Sequence, residues 1–376
     1  MICLLLLALF STLPAEDSPL SVALSQAGGN RAELEKALRQ CPPEEKPGME
    51  FLIANMPDAD RKSLKADFLL ANTSLAYRAR RETPWGKSIP QDLFFNDVLP
   101  YAHVDEARDP WRAEFFALCM PMVQGCKTPE EAVRKLNGEL FGKLKVKYST
   151  KRRVPNQSAR ESMELGLASC TGLSIVLADA CRAVCVPARL VGTPLWANKR
   201  GNHTWVEVWD AGWHFTGACE QDPNGLDRGW FVGDASQAQK EVYEHAIYAA
   251  SFRRGPIHFP MVWAMRSKDV PGENVTDRYA KKKEVPADTV RLMVRVLGAD
   301  GKRVAEKVRV TSKPDGKEAS VLDGVSRGEM ADTNDFLGFN LKRGVEVVVT
   351  VGNLEKKLVT AATGKEQLVE LKLPAP

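Results

Sequence analysis

The chain has 376 residues, with 44% hydrophobic and 27% charged side chains and a formal net charge of +4. This composition is typical of a soluble globular protein with about two or three domains. The net charge is weak and both signs are interspersed, which argues against nucleic acid as a partner.

The N-terminal segment "MICLLLLALFSTLPAED" is an apolar run that ends in small residues. It is shorter than the roughly 20 residues that a membrane-spanning helix needs, and it resembles a secretory signal peptide over residues 1–15, cut after Ala15. This predicts an extracytoplasmic protein, either periplasmic or secreted. The alternative is a buried N-terminal helix, since no Lys or Arg precedes the run. No later segment predicts a membrane span.

Residues 16–127 show helical spacing of apolar side chains, as in "NRAELEKALRQCP" and "DADRKSLKADFLLANTSLAYRARRE". This predicts a helical N-terminal region. A strong helix start follows in "TPEEAVRKLNGELFGKL", which has Thr before Pro and acidic residues in the first turn.

Residues 128–265 mix helical and β-rich segments and form a predicted core. "NHTWVEVWDAGWHFTGAC" indicates a β-hairpin, and "SQAQKEVYEHAIYAASF" is interpreted as a helix. Residues 266–286 are charged, contain two prolines and lack periodicity, which predicts a linker. Residues 287–376 alternate polar and apolar side chains between short turns, which predicts an antiparallel β-sandwich. The predicted fold class is therefore α+β.

Cys170 is the candidate catalytic cysteine. Cys170 precedes "TGLSIVLADACRAVCV", which is apolar on nearly every side and predicts a buried central helix with Cys170 in its first turn. A helix N-terminus stabilises a thiolate. Cys181 and Cys185 lie too far along the same helix to join Cys170 and are expected to be core thiols. Cys119 and Cys126 could bridge, but spacing alone does not fix the pairing.

A nucleophilic cysteine needs a nearby base, and His203 is the best candidate because it begins the first strand of the predicted hairpin. The other four histidines lack such a context. The segments "GLASCTGLSIVLADACRAVCVPARLVG" and "NHTWVEVWDAGWHF" closely resemble the transglutaminase-like superfamily over about residues 128–260. The resemblance implies a papain-like Cys-His-Asp thiol site that performs acyl transfer on peptide or protein amides, with no cofactor.

The third member of the site departs from the family pattern. Counting along the second hairpin strand places the expected Asp at Gly217, which has no side chain. A two-residue hairpin loop would place His203 opposite Glu220, whereas a three-residue loop would place it opposite Cys219. Glu220 is the preferred third member. Asp222, which precedes a proline as the family acid does, is the alternative.

The remaining site predictions concern the oxyanion and the substrate groove. The backbone N–H of Cys170 and the side-chain amide of Gln157 are the expected oxyanion donors. Trp196, Trp205 and Trp209 could line a groove or belong to an aromatic core. No loop of calcium-binding spacing occurs, so calcium activation is not expected.

Three functions follow from these residues. The first is a thiol hydrolase or acyltransferase of the transglutaminase-like type, in which hydrolysis is favoured because water is the default acceptor. The second is an inactive module that binds peptide or glycan. The third is a zinc site built from Cys170, His203 and Cys219, disfavoured because paired ligand spacing is missing. The C-terminal strands also resemble a carboxypeptidase-regulatory-like β-sandwich.

Overall fold

The computed structural model describes residues 18–280, 288–312 and 320–375. The predicted signal peptide at residues 1–15 lies outside these ranges, as does the last part of the predicted linker, residues 281–286. Within the described ranges, no helix combines the length and the apolar character needed to cross a bilayer.

Residues 18–122 are mainly helical, as their apolar spacing predicts. The helices are α1 (Pro19–Ser25), α2 (Arg31–Gln40), α3 (Lys46–Asn55), α4 (Asp58–Arg61), α5 (Ala66–Glu82), α6 (Gln91–Leu93) and α7 (Trp111–Met122). In α2, Leu34 and Ala37 are one turn apart and both are buried, so helical periodicity defines the inward face. The Trp85 indole N–H donates to the carbonyl of Val184, which ties this region to the core.

The next region begins with α8 (Pro129–Leu144), where the Thr128 side chain accepts a hydrogen bond from the backbone N–H of Glu131. This cap is the helix start that the sequence predicts. The elements that follow are β1 (Lys147–Tyr148), α9 (Ala159–Leu165), β2 (Leu167–Ala168), α10 (Cys170–Ala183), β3 (Ala188–Thr193), β4 (His203–Trp209), β5 (Trp213–Thr216), α11 (Val232–Ala235), β6 (Tyr248–Ala250), β7 (Gly272–Asn274) and α12 (Thr276–Tyr279).

Helix α10 is the centre of this region. Residues 171–183 are all buried, so the helix is covered on every side, as its uniformly apolar sequence predicts. It packs against α7 and against strands β3 and β4 of a five-stranded sheet with the order β5-β4-β3-β6-β7. Neighbouring strands in this sheet are antiparallel.

Two predictions for residues 236–286 are wrong, and the first concerns the segment interpreted as a helix. Residues 248–250 form β6, and only a short 3-10 turn, Tyr243–His245, precedes it. Ala249 pairs with Val191 of β3, and Ile247 lies beside it in a buried aromatic and aliphatic cluster. Sheet pairing therefore overrides the helical propensity of the segment.

The second error concerns the predicted linker at residues 266–286, which contains β7 and α12. Two residues of this segment, Arg278 and Tyr279, bind the buried carboxylate of Glu207. Arg278 donates to Glu207 over 2.8 Å, and the Tyr279 hydroxyl donates to the same carboxylate over 2.8 Å. Arg278, one of the charged residues that suggested a solvated linker, thus holds the segment against β4.

The C-terminal module contains two sheets around one apolar cluster. Its strands are β8 (Thr289–Leu297), β9 (Lys307–Ser312), β10 (Ser320–Val325), β11 (Leu337–Lys342), β12 (Glu346–Val351), β13 (Leu354–Val359) and β14 (Glu366–Lys372). The sheet orders are β10-β9-β12-β13 and β11-β8-β14. Alternate residues such as Val347, Val349 and Val351 face the shared core, which is the period of a half-buried strand. Pairing is antiparallel as predicted, except that β14 pairs with β8 in parallel.

Candidate active site

Cys170 is the first residue of α10. The Ser169 side chain caps the helix by accepting a hydrogen bond from the backbone N–H of Gly172 over 3.0 Å. Cys170 is half-buried while the next thirteen residues, 171–183, are buried. The helix therefore presents its sulfur at the positive end of the macrodipole and at the edge of the core, which is the environment the sequence predicts for a reactive thiol.

His203 is the first residue of β4, and its ring is buried. The residues that follow Cys170 and His203 hold the two elements in register. The hydroxyls of Thr171 and Thr204 are 3.0 Å apart, and the Ser174 hydroxyl donates to the carbonyl of Thr204 over 3.3 Å. As a result, the Cys170 sulfur lies within 4.8 Å of a His203 ring nitrogen.

The hairpin after His203 has a three-residue loop, because Trp209 pairs directly with Trp213. The expectation of a two-residue loop is wrong, and so is the register argument for Glu220. The ladder ends at Thr216, however, and residues 217–220 form a turn, with the Glu220 N–H donating to the carbonyl of Gly217. This turn carries the Glu220 carboxylate to 3.9 Å from Nε2 of His203.

Gly217 explains how Glu220 reaches the site. A Cβ atom added at Gly217 would lie 2.5 Å from Oε2 of Glu220. The Glu220 carboxylate thus fills the volume beside the position where the family pattern places its acid. The Trp230 indole N–H donates to the same oxygen over 2.9 Å, which fixes the carboxylate beside the imidazole.

The structure does not bring the two other predicted side chains to the imidazole. Asp222 accepts hydrogen bonds from Asn224 in an exposed turn, which is an ordinary role for an Asp before proline. The amide of Gln157 is occupied inside the loop before α10. Its oxygen accepts from the backbone N–H of Arg153 over 2.7 Å, and its nitrogen donates to the carbonyl of Leu167 over 2.9 Å. We therefore do not assign Gln157 to the oxyanion.

A second acid, Asp332, reaches His203 from the C-terminal module. Its Oδ2 atom is 3.6 Å from Nδ1 of His203, and the carboxylate lies within 4.8 Å of the Cys170 sulfur. Asp332 belongs to the loop between β10 and β11 and is buried. No local motif in the sequence marks Asp332, because its role depends on how two distant parts of the chain pack together.

The charges around His203 favour its protonated form. Burial disfavours the charged ring, but the nearby Asp332 carboxylate and Cys170 sulfur, together with the negative charge of Glu220, keep the pKa of His203 well above its ordinary value. Burial also raises the pKa of Asp332, but the His203 ring outweighs it and holds this pKa below its usual range. Burial raises the pKa of Glu220 to about 7, although His203 opposes this shift.

A cavity of about 430 Å³ opens beside the sulfur. Cys170, Tyr148 and Trp263 line it together with residues 332–334 of the C-terminal module. Of the tryptophans predicted to line a groove or a core, Trp196 and Trp205 are buried and stack with ring centroids 6.1 Å apart. They form an aromatic core next to the His203 ring.

The remaining cysteines make no disulfide in the described residues. Cys119 and Cys126 are free thiols, and Cys181 and Cys185 are buried in the core, as predicted. Cys219 is exposed and its backbone N–H donates to Asn137.

The disfavoured zinc set of Cys170, His203 and Cys219 is not found together in the described residues. The cluster observed there contains Asp332 in place of Cys219.

Residues 117–235 match the family model described as the transglutaminase-like superfamily. The matched segment contains both α10 and the β4–β5 hairpin. The match agrees with the predicted transglutaminase-like core. The structure itself shows the predicted α+β class, with C-terminal sheets that are antiparallel except for the β8–β14 pair. The carboxypeptidase-regulatory-like resemblance of the C-terminal module stays a prediction.

Two solved structures resemble parts of the chain. A candidate cysteine protease from Cytophaga hutchinsonii is 19% identical with a TM-score of 0.30, and the match covers 39% of this chain and 48% of that one. Red sea bream transglutaminase is 8% identical with a TM-score of 0.29, covering 78% of this chain and 59% of that one. The chain thus spans about half of the first structure and 59% of the second. No curated protein matches the sequence.

Proposed function

We propose that the protein is an exported thiol enzyme that performs acyl transfer on amide bonds, with hydrolysis of a peptide or protein amide as the principal reaction. The observation that carries this proposal is the approach of the Cys170 sulfur to the His203 imidazole, within 4.8 Å, at the capped N-terminus of a buried helix. A thiolate stabilised in this way is a nucleophile, and an adjacent imidazole can hold and return the proton.

In the first half of the reaction, the Cys170 thiolate attacks the amide carbonyl carbon and forms a C–S bond. The carbonyl oxygen becomes an oxyanion, which the backbone N–H of Cys170 can stabilise. The protonated His203 gives its proton to the amide nitrogen, the C–N bond breaks and the amine leaves. A thioester on Cys170 remains.

In the second half, neutral His203 accepts a proton from water as the water oxygen attacks the thioester carbon. The C–S bond then breaks, the acid product leaves and the thiolate–imidazolium pair is restored. Glu220, 3.9 Å from Nε2, is proposed as the third member that orients the ring through both halves. A primary amine in place of water would give transamidation.

The chain contains an internal control for testing the nucleophile. Cys219 as a whole residue is more exposed than Cys170. Its thiol group is nevertheless partly buried, and this burial raises the pKa of the thiol to about 11. Iodoacetamide labelling at pH near 6, quantified by peptide mass spectrometry, should therefore modify Cys170 much faster than Cys219. Equal or slower labelling of Cys170 would contradict the proposal. The Cys219→Ser variant should label at Cys170 at the wild-type rate.

An inactive module that binds peptide or glycan is the second candidate, favoured by the absence of the family acid at Gly217. A library of peptides, isopeptides and glycopeptides distinguishes the two functions. An active enzyme should form a thioester on Cys170 that hydroxylamine cleaves, and a binding module should retain ligand without forming one. Stoichiometric zinc in the purified protein would contradict the thiol mechanism, because a metal-bound sulfur is not free to attack.

A further inference from the structure

The loop at residues 326–336 carries a second carboxylate into the site described above. We propose that this loop is part of the active site and that Asp332 is a positioning residue that orients the His203 ring and serves as its counter-ion. The inference rests on the proposed thiol mechanism and adds to it a dependence on the C-terminal module. Three sets of contacts support it.

The first set holds the carboxylate in place within its own loop. The Oδ1 atom of Asp332 accepts a hydrogen bond from the backbone N–H of Asn334 over 2.8 Å, which leaves Oδ2 to face His203. The Arg303 guanidinium donates to the carbonyl of Asp332 over 2.8 Å and also to the carbonyl of Asp335. The side chain is therefore presented in one orientation rather than as a free surface acid.

The second set attaches the loop to the segment just before His203. The Asn334 amide donates to the carbonyl of Asn202 over 3.3 Å. Gly201 has a φ of +138°, and a Cβ atom there would lie 3.1 Å from the Asn334 side chain, so the backbone approaches this close only because residue 201 is glycine. Arg200 pairs with Asp234 of the core over 2.6 Å and with Glu366 of β14 over 3.2 Å.

The third set concerns charge. The groups around the His203 ring are Cys170 from α10, Glu220 from the turn after β5 and Asp332 from the C-terminal loop. Asp335 and Arg303 lie further out, next to Asp332. Tyr148 adds a phenol near Asp332 whose pKa burial raises to about 12, so it is neutral.

Glu220 and Asp332 differ in charge at neutral pH. Burial raises the pKa of Glu220 to about 7, whereas His203 keeps that of Asp332 low. Asp332 is therefore the acid that is ionised throughout the range in which the enzyme would work.

The test is a comparison of Asp332→Asn with wild type in the full chain. Asn can keep its oxygen as the acceptor for Asn334, and it places an uncharged NH2 group where Oδ2 faces His203. The first readout is the titration of His203 by NMR with ¹³C-labelled histidine, assigned with His203→Asn. Loss of the counter-ion should lower the titration midpoint of His203 by about one pH unit or more. An unchanged midpoint would overturn the inference, whether or not the protein has activity.

The second readout is turnover of an amide substrate selected with the wild-type protein. Asp332→Asn should lower kcat/KM by about tenfold or more and shift the alkaline limb of its pH profile to lower pH, with partial recovery in Asp332→Glu. Higher activity in Asp332→Asn would overturn the inference, because it would mean that the carboxylate blocks the site. Asp323→Asn, which removes an exposed acid of the same module, should leave both readouts unchanged.

Failure of the proposed function would give a different pattern. If Cys170→Ala retains the turnover of wild type, the thiol mechanism is wrong regardless of how Asp332→Asn behaves. If Cys170→Ala is inactive and Asp332→Asn resembles wild type in both readouts, the mechanism stands and only the role of Asp332 is lost.

Discussion

The region around α10 and the C-terminal module contribute to the candidate site in different ways. Helix α10 is buried throughout residues 171–183, and β4 is buried through residues 203–208. The C-terminal module has a narrower core and exposes large apolar side chains such as Val321, Val325 and Val359. The first region supplies the proposed nucleophile and base from regular elements, and the second supplies one carboxylate from a loop.

This difference shows which residues of the site are held in position most firmly by core packing. The hydrogen bond between Thr171 and Thr204 joins two buried elements that share one core, so displacing Cys170 from His203 would disrupt that core. Asp332 reaches the same ring from the C-terminal module, which polar contacts such as Asn334 with Asn202 and Glu366 with Arg200 hold in place. We therefore expect the largest functional effects from changes in the first region and smaller, charge-specific effects from changes in the second.

The largest expected effect is that of Cys170→Ala. If Cys170 is the nucleophile, kcat/KM for an amide substrate should fall by at least about 10⁴-fold, because no thioester can form. The side chain is half-buried at a helix start, so the free energy of unfolding should change by less than about 0.5 kcal/mol. Turnover assays and urea denaturation measure the two quantities. Activity within tenfold of wild type would identify a different nucleophile.

Next in size is Glu220→Gln, for which kcat/KM should fall by about 10²-fold above pH 7. Because burial raises the pKa of Glu220 to about 7, the side chain keeps its proton below that pH and orients the imidazolium as a carboxylate only above it. Wild-type activity should therefore rise through about pH 7, and the variant should lack this rise. A pH profile with the same acid limb in both proteins would exclude Glu220 as the third member.

Replacing Glu220 by Ala removes the carboxylate that lies beside Gly217 and so makes room for a rescue at that position. Moving the carboxylate back to the position of the family acid, in Gly217→Asp combined with Glu220→Ala, should recover about tenfold in kcat/KM over Glu220→Ala alone. The matched control is Gly217→Ala with Glu220→Ala, which fills the space without a charge. Equal activity in the two double variants would show that the carboxylate has no role at this place.

The sequence predicts the parts of the site that depend on local pattern. Uniform apolar character predicts the buried α10, and its first residue gives Cys170; the strand that follows gives His203. The hairpin register that favours Glu220 requires a two-residue loop, and it is wrong because the loop has three residues. Glu220 still reaches His203 because the ladder stops at Thr216 and the chain turns back, which strand pattern alone does not predict.

The parts that the sequence does not predict depend on contacts between distant segments. Arg278 and Tyr279 look like residues of a solvated linker until their partner, the buried Glu207, is known. Asp332 lies in a polar loop like many others, and only the packing of the C-terminal module against residues 200–202 brings it to His203. Composition and periodicity therefore predict neither of these contacts.

The fourth prediction concerns the ion pairs of Arg189 in the core. Arg189 of β3 pairs with Glu207 over 2.8 Å and with Glu273 over 3.0 Å, and the Arg189–Glu207 side chains are only 3% and 2% exposed. Arg189→Met leaves the Glu207 charge with fewer donors in a buried place, so the free energy of unfolding should fall by about 3 kcal/mol. Urea denaturation measures this loss. A loss below about 1 kcal/mol would indicate that Arg278 and Tyr279 satisfy Glu207 alone.

The smallest expected effect is on the exposed face of the C-terminal module. Arg309 and Asp323 form an ion pair between β9 and β10, with side chains that are 62% and 61% exposed. Water and salt screen such a pair, so Arg309→Met should change the free energy of unfolding by less than about 0.5 kcal/mol and leave kcat/KM unchanged. A larger loss of stability would mean that this face is coupled to the module's core. Reduced turnover with unchanged stability would mean instead that β10 transmits strain to the loop that carries Asp332. Urea denaturation and activity assays on the same variant distinguish these two outcomes.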